Sequence, residues 1–410
     1  METGKKLRIA MLSVHSCPIA RVGAKDTGGM NVYIRELARE LGQRGYLVDI
    51  FTRAHDPGDA QIVEFDRGVR LIHLEAGEVE DIHKLVLYSY LADFSCNLEN
   101  FRKANELEYD LIHSHYWLSG WVGRRIQDWW KIPHVTMFHT LGAVKNAVGV
   151  GEDDPELRLQ TECELAKDCD RIIAATENER AQLVGCCNAS PGAISVIPCG
   201  VNLDLFRPLN KKTARQQLNL NGENIALFVG RIEPLKGIDR LLTAVAHVRK
   251  KEKVHLVVVG GYDESQSEME RLTDLAQELN VQDSVTFAGM VEHEELPRYY
   301  CAADVCVIPS HYESFGLVAL ESLACGTPVV ATRVGGIESL ICQGENGYVV
   351  DGNPIDLADK VVEVLLHPDI SAETAMVARQ RVFGFGWSNI AQEMVREYRS
   401  VLSGWTGHCG

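Results

Sequence analysis

Glu313 and Glu321 stand in an E-x7-E spacing around Ser314-Phe315-Gly316-Leu317-Val318-Ala319-Leu320. The apolar run Val305-Cys306-Val307-Ile308 just before them has the continuity of a buried parallel strand. Leu317 to Cys325 then shows helical periodicity that stops at Gly326, with Pro328 beyond it. The first glutamate therefore falls in a strand-to-helix loop, and the second lies one to two turns into the helix. Between them the amides of Phe315, Gly316 and Leu317 occupy a helix N-terminus, where an anion is favoured. A nucleotide sugar suits this set: amides on the diphosphate, one carboxylate on ribose hydroxyls, the other on the sugar. Two solvated carboxylates on an ordinary loop are the bland alternative, but Gly316 and the paired acids together exceed what a loop needs.

Two cations follow another apolar strand. After Ile225–Val229 comes Gly230-Arg231-Ile232-Glu233-Pro234-Leu235-Lys236-Gly237, a turn sharpened by Pro234 and Gly237. Arg231 and Lys236 at that strand end can neutralise a diphosphate leaving group without a metal. Near the N-terminus, Asp26-Thr27-Gly28-Gly29-Met30 closes a loop before a helix. Its two glycines let the backbone approach a ligand and leave helix amides for phosphate. The spacing is not G-x-G-x-x-G, which argues against a dinucleotide oxidoreductase.

Metal chemistry is the competing reading. His15, His113, His115 and His139 sit near strand ends, yet such histidines more often pack or hydrogen-bond, and no Cys or carboxylate stands at zinc-like spacing. Asp168-Cys169-Asp170 matches D-x-D but lies at the wrong end of its strand for a cleft. No metal and no cofactor are expected. The aromatic and cationic stretch from Trp121 to Lys131 fits an amphipathic helix packed on a sheet better than a membrane surface.

These groups need elements to position them. At 410 residues the chain is too long for one typical core, so two α/β domains are the default. In the first half, strands are expected at Arg8–Val14, Tyr46–Phe51, Val69–His73, Leu111–His115, His134–His139, Arg171–Ala174 and Ile194–Ile197. The rhythm breaks around Pro198-Cys199-Gly200-Val201-Asn202, an interdomain linker. A second strand and helix series runs from Asn224 to Leu365, and a last helix, Ser388–Leu402, is placed to brace the first domain. The expected fold is α/β, with two Rossmann-like domains facing across a cleft at their strand C-termini. The divisions are 1–200, 201–387 and a returning helix in 388–410.

The net charge of −16 argues against nucleic acid as a partner. The first apolar run lacks a signal-peptide cleavage site, and no segment reaches the ~20 apolar residues of a membrane span. Twelve cysteines without C-x-x-C favour reduced thiols, several of them in apolar elements, in a cytoplasmic protein. Nothing near Cys186-Cys187 supports a redox role. Pairing as a homodimer stays open.

Taken together, E-x7-E, Gly230-Arg231…Lys236 and the Gly28-Gly29 loop resemble glycosyltransferase family 4, retaining enzymes of the GT-B fold, over essentially the whole chain. Met30-Asn31-Val32-Tyr33-Ile34, His113-Ser114-His115-Tyr116-Trp117-Leu118-Ser119-Gly120 and His139-Thr140-Leu141-Gly142-Ala143-Val144-Lys145-Asn146 are more narrowly similar to the D-inositol-3-phosphate glycosyltransferases of mycothiol synthesis. Sucrose-phosphate synthases are next.

The resemblance implies that Arg231 and Lys236 bind the donor diphosphate, Glu321 the ribose and Glu313 a donor-sugar hydroxyl. It places Gly28, Gly29, Phe315, Gly316 and Leu317 at the donor, Met290 near its base, and His139 beside its sugar. It implies a phosphorylated acceptor held by Lys84, Tyr116, Thr140 and Arg158. Two cations and two hydroxyls suit a phosphate monoester on chemical grounds as well. Two departures bear on substrate identity. Gly142 leans toward the sucrose-phosphate relatives, and Gly289-Met290-Val291 is apolar where the inositol-phosphate enzymes are more basic. A non-catalytic nucleotide-sugar sensor and a nucleotide-sugar epimerase are the readings from other classes.

Overall fold

The computed structural model describes residues 6–19, 28–80, 82–220, 224–261, 265–367 and 378–405. Asp26 and Thr27 of the glycine loop lie outside them. Fourteen described strands form two sheets.

The first sheet has β1 (Arg8–Leu12), β2 (Leu47–Arg53), β3 (Ile62–Asp66), β4 (Val69–Leu74), β5 (Leu111–His115), β6 (His134–Met137), β7 (Arg171–Ala174) and β8 (Ile194–Val196). Their order is β3-β4-β2-β1-β5-β6-β7-β8. Neighbours are parallel except β3 on β4. The second sheet has β9 (Asn224–Val229), β10 (Val254–Val259), β11 (Val285–Gly289), β12 (Val305–Ile308), β13 (Val329–Thr332) and β14 (Gly347–Val350), ordered β11-β10-β9-β12-β13-β14 and parallel throughout.

Alternation along each strand explains why both faces are covered. Ile9 and Met11 of β1 enter one core cluster, whereas Ala10 and Leu12 enter another, as the two-residue repeat of a strand requires. The first of these clusters continues from Ile9, Tyr33 and Leu37 into Val257, Val259 and Ile308. One apolar core therefore joins the facing sides of the two sheets.

Seven helices bear on the site: α1 (Gly29–Gln43), α2 (Tyr116–Trp130), α3 (Gly142–Val148), α4 (Glu156–Asp168), α5 (Glu177–Cys187), α6 (Leu317–Ala324) and α7 (Trp387–Gly404). The terminal helix α7 lies against α1 and buries Trp387, Ile390, Met394 and Tyr398. Each such side chain contributes about 1.5–3 kcal/mol before the entropy of ordering it. Polar ties accompany the packing: Arg171 Nε is 2.7 Å from Glu397 Oε1, and the Tyr398 hydroxyl is 2.7 Å from His113 Nδ1. The outgoing and returning chains run side by side, for Val201 N–H donates to Phe385 O at 2.8 Å.

Three expectations need correction. β6 ends at Met137, not His139, because His139 adopts φ +62°, which no extended strand accommodates. An unforeseen strand, β3, turns back on β4 through Gly68, whose φ is +74°. The cysteines are not all reduced: Cys163 of α4 and Cys187 of α5 form a disulfide, since packing of these helices brings their Cα atoms to 4.4 Å.

Candidate active site

A cavity of about 370 Å³ opens between the two sheets. Its lining residues follow strand ends from both: Tyr116 after β5, His139 after β6, Gly230 and Arg231 after β9, Gly260 after β10, Met290 after β11, and Tyr312 and Glu313 beyond β12. This is where open parallel sheets place their ligands. All fifteen site residues inferred from sequence line this one cavity.

On one side the first turns of α1 and α6 meet. A Cβ on Gly29 would stand 3.0 Å from Leu317 Cδ1, so two helix N-termini converge from the two sheets. Their first-turn amides have no partner within the helix, and both dipoles favour negative charge. Gly316 is the N-cap of α6 at φ +100°, and a Cβ there would meet Ile337 Cγ1 at 2.8 Å. Only glycine fits that turn without strain.

The cations meet the acids through a locked pair of loops. Gly237, at φ +66°, has room for no side chain because Pro309 O would lie 2.3 Å from its Cβ. His311 N–H donates to Leu235 O at 2.8 Å. This close approach sets Lys236 Nζ 2.7 and 2.9 Å from the two carboxylate oxygens of Glu313. Arg231 has its own partner, Glu233, at 3.0 Å.

Glu321 is buried and fixed at both oxygens. His293 Nε2 lies 2.9 Å from Oε1, and the Tyr300 hydroxyl donates to Oε2 at 2.8 Å.

The first unit's part of the lining is built around Arg158, whose side chain is 1% exposed. Its guanidinium engages Asp154 at 2.8 Å and Glu162 at 2.6 Å, donates to both Thr140 O and Thr140 Oγ1, and lies 4.8 Å from the centre of the Tyr116 ring. Burial opposes ionisation of Asp154, yet Arg158 and Lys145 hold its carboxyl below the usual range. Burial wins at Glu162, whose carboxyl is pushed up despite Arg158. Lys84 opens a short helix and lines the same wall. Tyr116 is held at φ +75°, another left-handed residue at the cavity. Such backbone strain concentrates at functional sites.

The histidines form a buried cluster of tilted rings. His139 Nε2 is 3.0 Å from His115 Nδ1, and the His115 and His113 rings are 4.2 Å apart. Burial lowers His139 to about 3, with His15 adding to the effect, so its imidazole is neutral. No cluster of three metal-ligating side chains occurs among the described residues. Asp170 of the D-x-D stretch instead accepts hydrogen bonds from Gln127 Nε2 and His134 N–H.

Sequence reasoning missed His293, Lys145, Tyr312 and Cys199, which also line the cavity. Lys145 was legible in principle, as a cation just beyond Thr140 in the same stretch. Nothing in the local sequence points to His293.

Two facing parallel-sheet units with donor-type cations and acids between them define a GT-B glycosyltransferase. The chain belongs to glycosyltransferase family 4. Residues 27–205 match the family model "Glycosyltransferase Family 4", and residues 210–381 match "Glycosyl transferases group 1". The chain is 42% identical over 406 residues to D-inositol 3-phosphate glycosyltransferase 2 of Catenulispora acidiphila, covering 96% of this chain and 95% of that one. It is 38% identical to the D-inositol 3-phosphate glycosyltransferase of Corynebacterium diphtheriae over 402 residues, covering 96% and 94%. Among solved structures it resembles the sucrose-phosphate synthase of Thermosynechococcus elongatus, with a TM-score of 0.91 and 38% identity over 97% of this chain and all of the other. Among the described residues no helix is long and apolar enough to cross a membrane.

Proposed function

We propose that the chain moves a hexosyl or N-acetylhexosaminyl group from a nucleoside-diphosphate sugar to a hydroxyl of a phosphorylated polyol, with retention of configuration. The observation that carries this reading is one cavity lined by two sets of groups. Paired helix N-termini, Arg231 and Lys236 make up the first, and Lys84, Tyr116, Thr140 and Arg158, all from the first unit, make up the second. The first set suits a diphosphate and the second a phosphate monoester.

In this reading the bond between the sugar's anomeric carbon and the diphosphate breaks, and the acceptor hydroxyl attacks on the same face. The hydroxyl proton passes to the departing phosphate oxygen, so no side chain acts as nucleophile. Arg231 and Lys236 stabilise charge growing on the diphosphate, without a metal. Glu313 and neutral His139 hold sugar hydroxyls, Glu321 holds the ribose, and Met290 borders the base. Arg158 shapes the acceptor wall and presents Thr140. Alignment of the two substrates supplies much of the remaining rate.

D-inositol 3-phosphate is the first acceptor, in line with the names of the relatives. Fructose 6-phosphate is the second, favoured by Gly142 and by likeness to the sucrose-phosphate synthase. A Cβ at Gly142 would stand 3.2 Å from Arg158 Nε, so this position bears on the acceptor wall. A cytoplasmic location fits ionised substrates that do not cross a bilayer. The anomeric configuration of the product, read by NMR, tests the reaction type: an α-linked donor must give an α-linked product, and a β-linked product rejects retention.

A further inference from the structure

Three side chains from the two sheet units form one hydrogen-bonded line into the donor side of the cavity. Arg35 Nη2 lies 3.0 Å from His293 Nδ1, and His293 Nε2 lies 2.9 Å from Glu321 Oε1. Arg35 belongs to α1 of the first unit, whereas His293 and Glu321 belong to the second. A guanidinium only donates hydrogen bonds. His293 Nδ1 must therefore accept, its ring proton sits on Nε2, and Nε2–H donates to the carboxylate. Arg35 dictates the tautomer.

The line is shielded and stiff. His293 is 4% exposed and Glu321 6%, and the edge of the Phe206 ring packs on the imidazole at 5.1 Å between centres. Arg35 is steadied by Glu36 at 3.5 Å. Glu36 in turn accepts from Asn202 Nδ2, in the segment that joins the units, at 3.3 Å. On the other oxygen Tyr300 completes the clamp at 2.8 Å. Each carboxylate oxygen of Glu321 thus has one donor and keeps acceptor capacity for another, which matches two adjacent hydroxyls.

We propose that His293 is a positioning residue for the donor: it orients Glu321 to accept the 2′- and 3′-hydroxyls of the nucleoside diphosphate, and Arg35 of the opposite unit holds it in the required tautomer. This rests on the reading of Glu321 as the ribose carboxylate. A consequence is that α1, whose first turn faces the diphosphate, also sets the ribose site. Displacing α1 from the second unit would leave His293 free to turn and Glu321 fixed at one oxygen only.

The test is calorimetric titration of UDP against 2′,3′-dideoxy-UDP, with ADP and its dideoxy form as a second pair. Unaltered protein should favour the ribonucleotide by at least about tenfold, since hydrogen bonds to a charged acceptor are at stake. His293→Phe should shrink that ratio to near one while weakening the dideoxy form little. Arg35→Ala should shrink it partly, and Arg35→Lys should restore it. A general packing defect would weaken both ligands alike and leave the ratio unchanged, so an undiminished ratio in His293→Phe overturns the positioning role. Equal affinities for both forms in the unaltered protein would instead sink the ribose reading of Glu321. If His293→Phe binds neither nucleotide, the Arg35 pair decides: a ratio indifferent to Ala and Lys overturns the proposal.

Discussion

Lys236 and Glu313 hold each other, with Nζ 2.7 and 2.9 Å from the two carboxylate oxygens. The cation assigned to the leaving diphosphate and the acid assigned to the donor sugar are thus one ion pair. Both are mostly shielded, at 19% and 14% exposure of the side chains. An entering nucleotide sugar offers the lysine a diphosphate and the carboxylate a set of hydroxyls. Each partner can then be exchanged without leaving a buried charge alone.

The pair predicts a loss of turnover at both members and, at Glu313, undiminished nucleotide binding. Lys236→Ala should lower kcat by about 10²–10³, the loss seen when one donor to a developing oxyanion is removed, with acceptor KM nearly unchanged. Glu313→Gln should also lower kcat but should bind free nucleoside diphosphate at least as tightly, because its lysine is released. Weaker nucleotide binding in Glu313→Gln would show that the pair does not compete with the donor.

The acceptor wall separates stability from specificity. Arg158→Ala strips Glu162 of its buried cation and leaves Asp154 with Lys145 alone, so it should cost about 3–5 kcal/mol of unfolding free energy in a denaturant titration. Thr140→Val keeps the arginine and both acids. It should leave stability within about 1 kcal/mol yet cut the preference for phosphorylated over unphosphorylated acceptor, measured as a ratio of kcat/KM values. An unaltered ratio would move the phosphate elsewhere.

Buried histidines make the fold acid-sensitive. Burial lowers His113, His134 and His139 each to about 3, with neighbouring histidines contributing at His113 and His15 at His139. The unfolded chain takes up those protons below about pH 6.5 while the folded protein does not. Stability is therefore full above that pH and is lost as the pH falls toward 3, by up to about 1.4 kcal/mol per residue per pH unit. Glu179, raised by burial to about 7, works the other way and contributes stability as pH falls from 7 toward the ordinary carboxylate range. Burial also lowers His115 and also raises Glu162; the four buried histidines outweigh the two glutamates, so chemical denaturation at pH 7 and pH 5 should show clearly lower stability at pH 5. Equal midpoints would contradict neutral buried histidines.

Charge stabilisation by Arg231 and Lys236 alone predicts indifference to chelators. Turnover in excess EDTA should equal that in magnesium. A loss that added Mg²⁺ or Mn²⁺ restores would require a metal on the diphosphate.

Much of this site was legible in the sequence because its parts lie at strand ends, and strand ends are marked by apolar runs that stop at Gly, Pro or charge. Arg231, Lys236, Glu313 and Glu321 follow β9 and β12 in that way, and topology brings those strands side by side. What the sequence concealed depends on contacts distant along the chain. The Lys236–Glu313 pair spans 77 residues and the Arg35–His293 contact 258; neither has a local signal. The Cys163–Cys187 link escaped for the same reason, since it follows from how α4 packs on α5. Arg158 was found, but its surroundings were not: Asp154, Glu162 and Thr140 all engage its guanidinium.

Transfer to a phosphorylated polyol can be checked in a single turnover matrix read by mass spectrometry. UDP-GlcNAc, UDP-glucose, ADP-glucose and GDP-mannose would each meet D-inositol 3-phosphate, fructose 6-phosphate and the unphosphorylated form of each. One glycosylated product is expected, formed only when the acceptor carries its phosphate. Equal product from unphosphorylated acceptors, or an epimerised donor formed with no acceptor present, would contradict it.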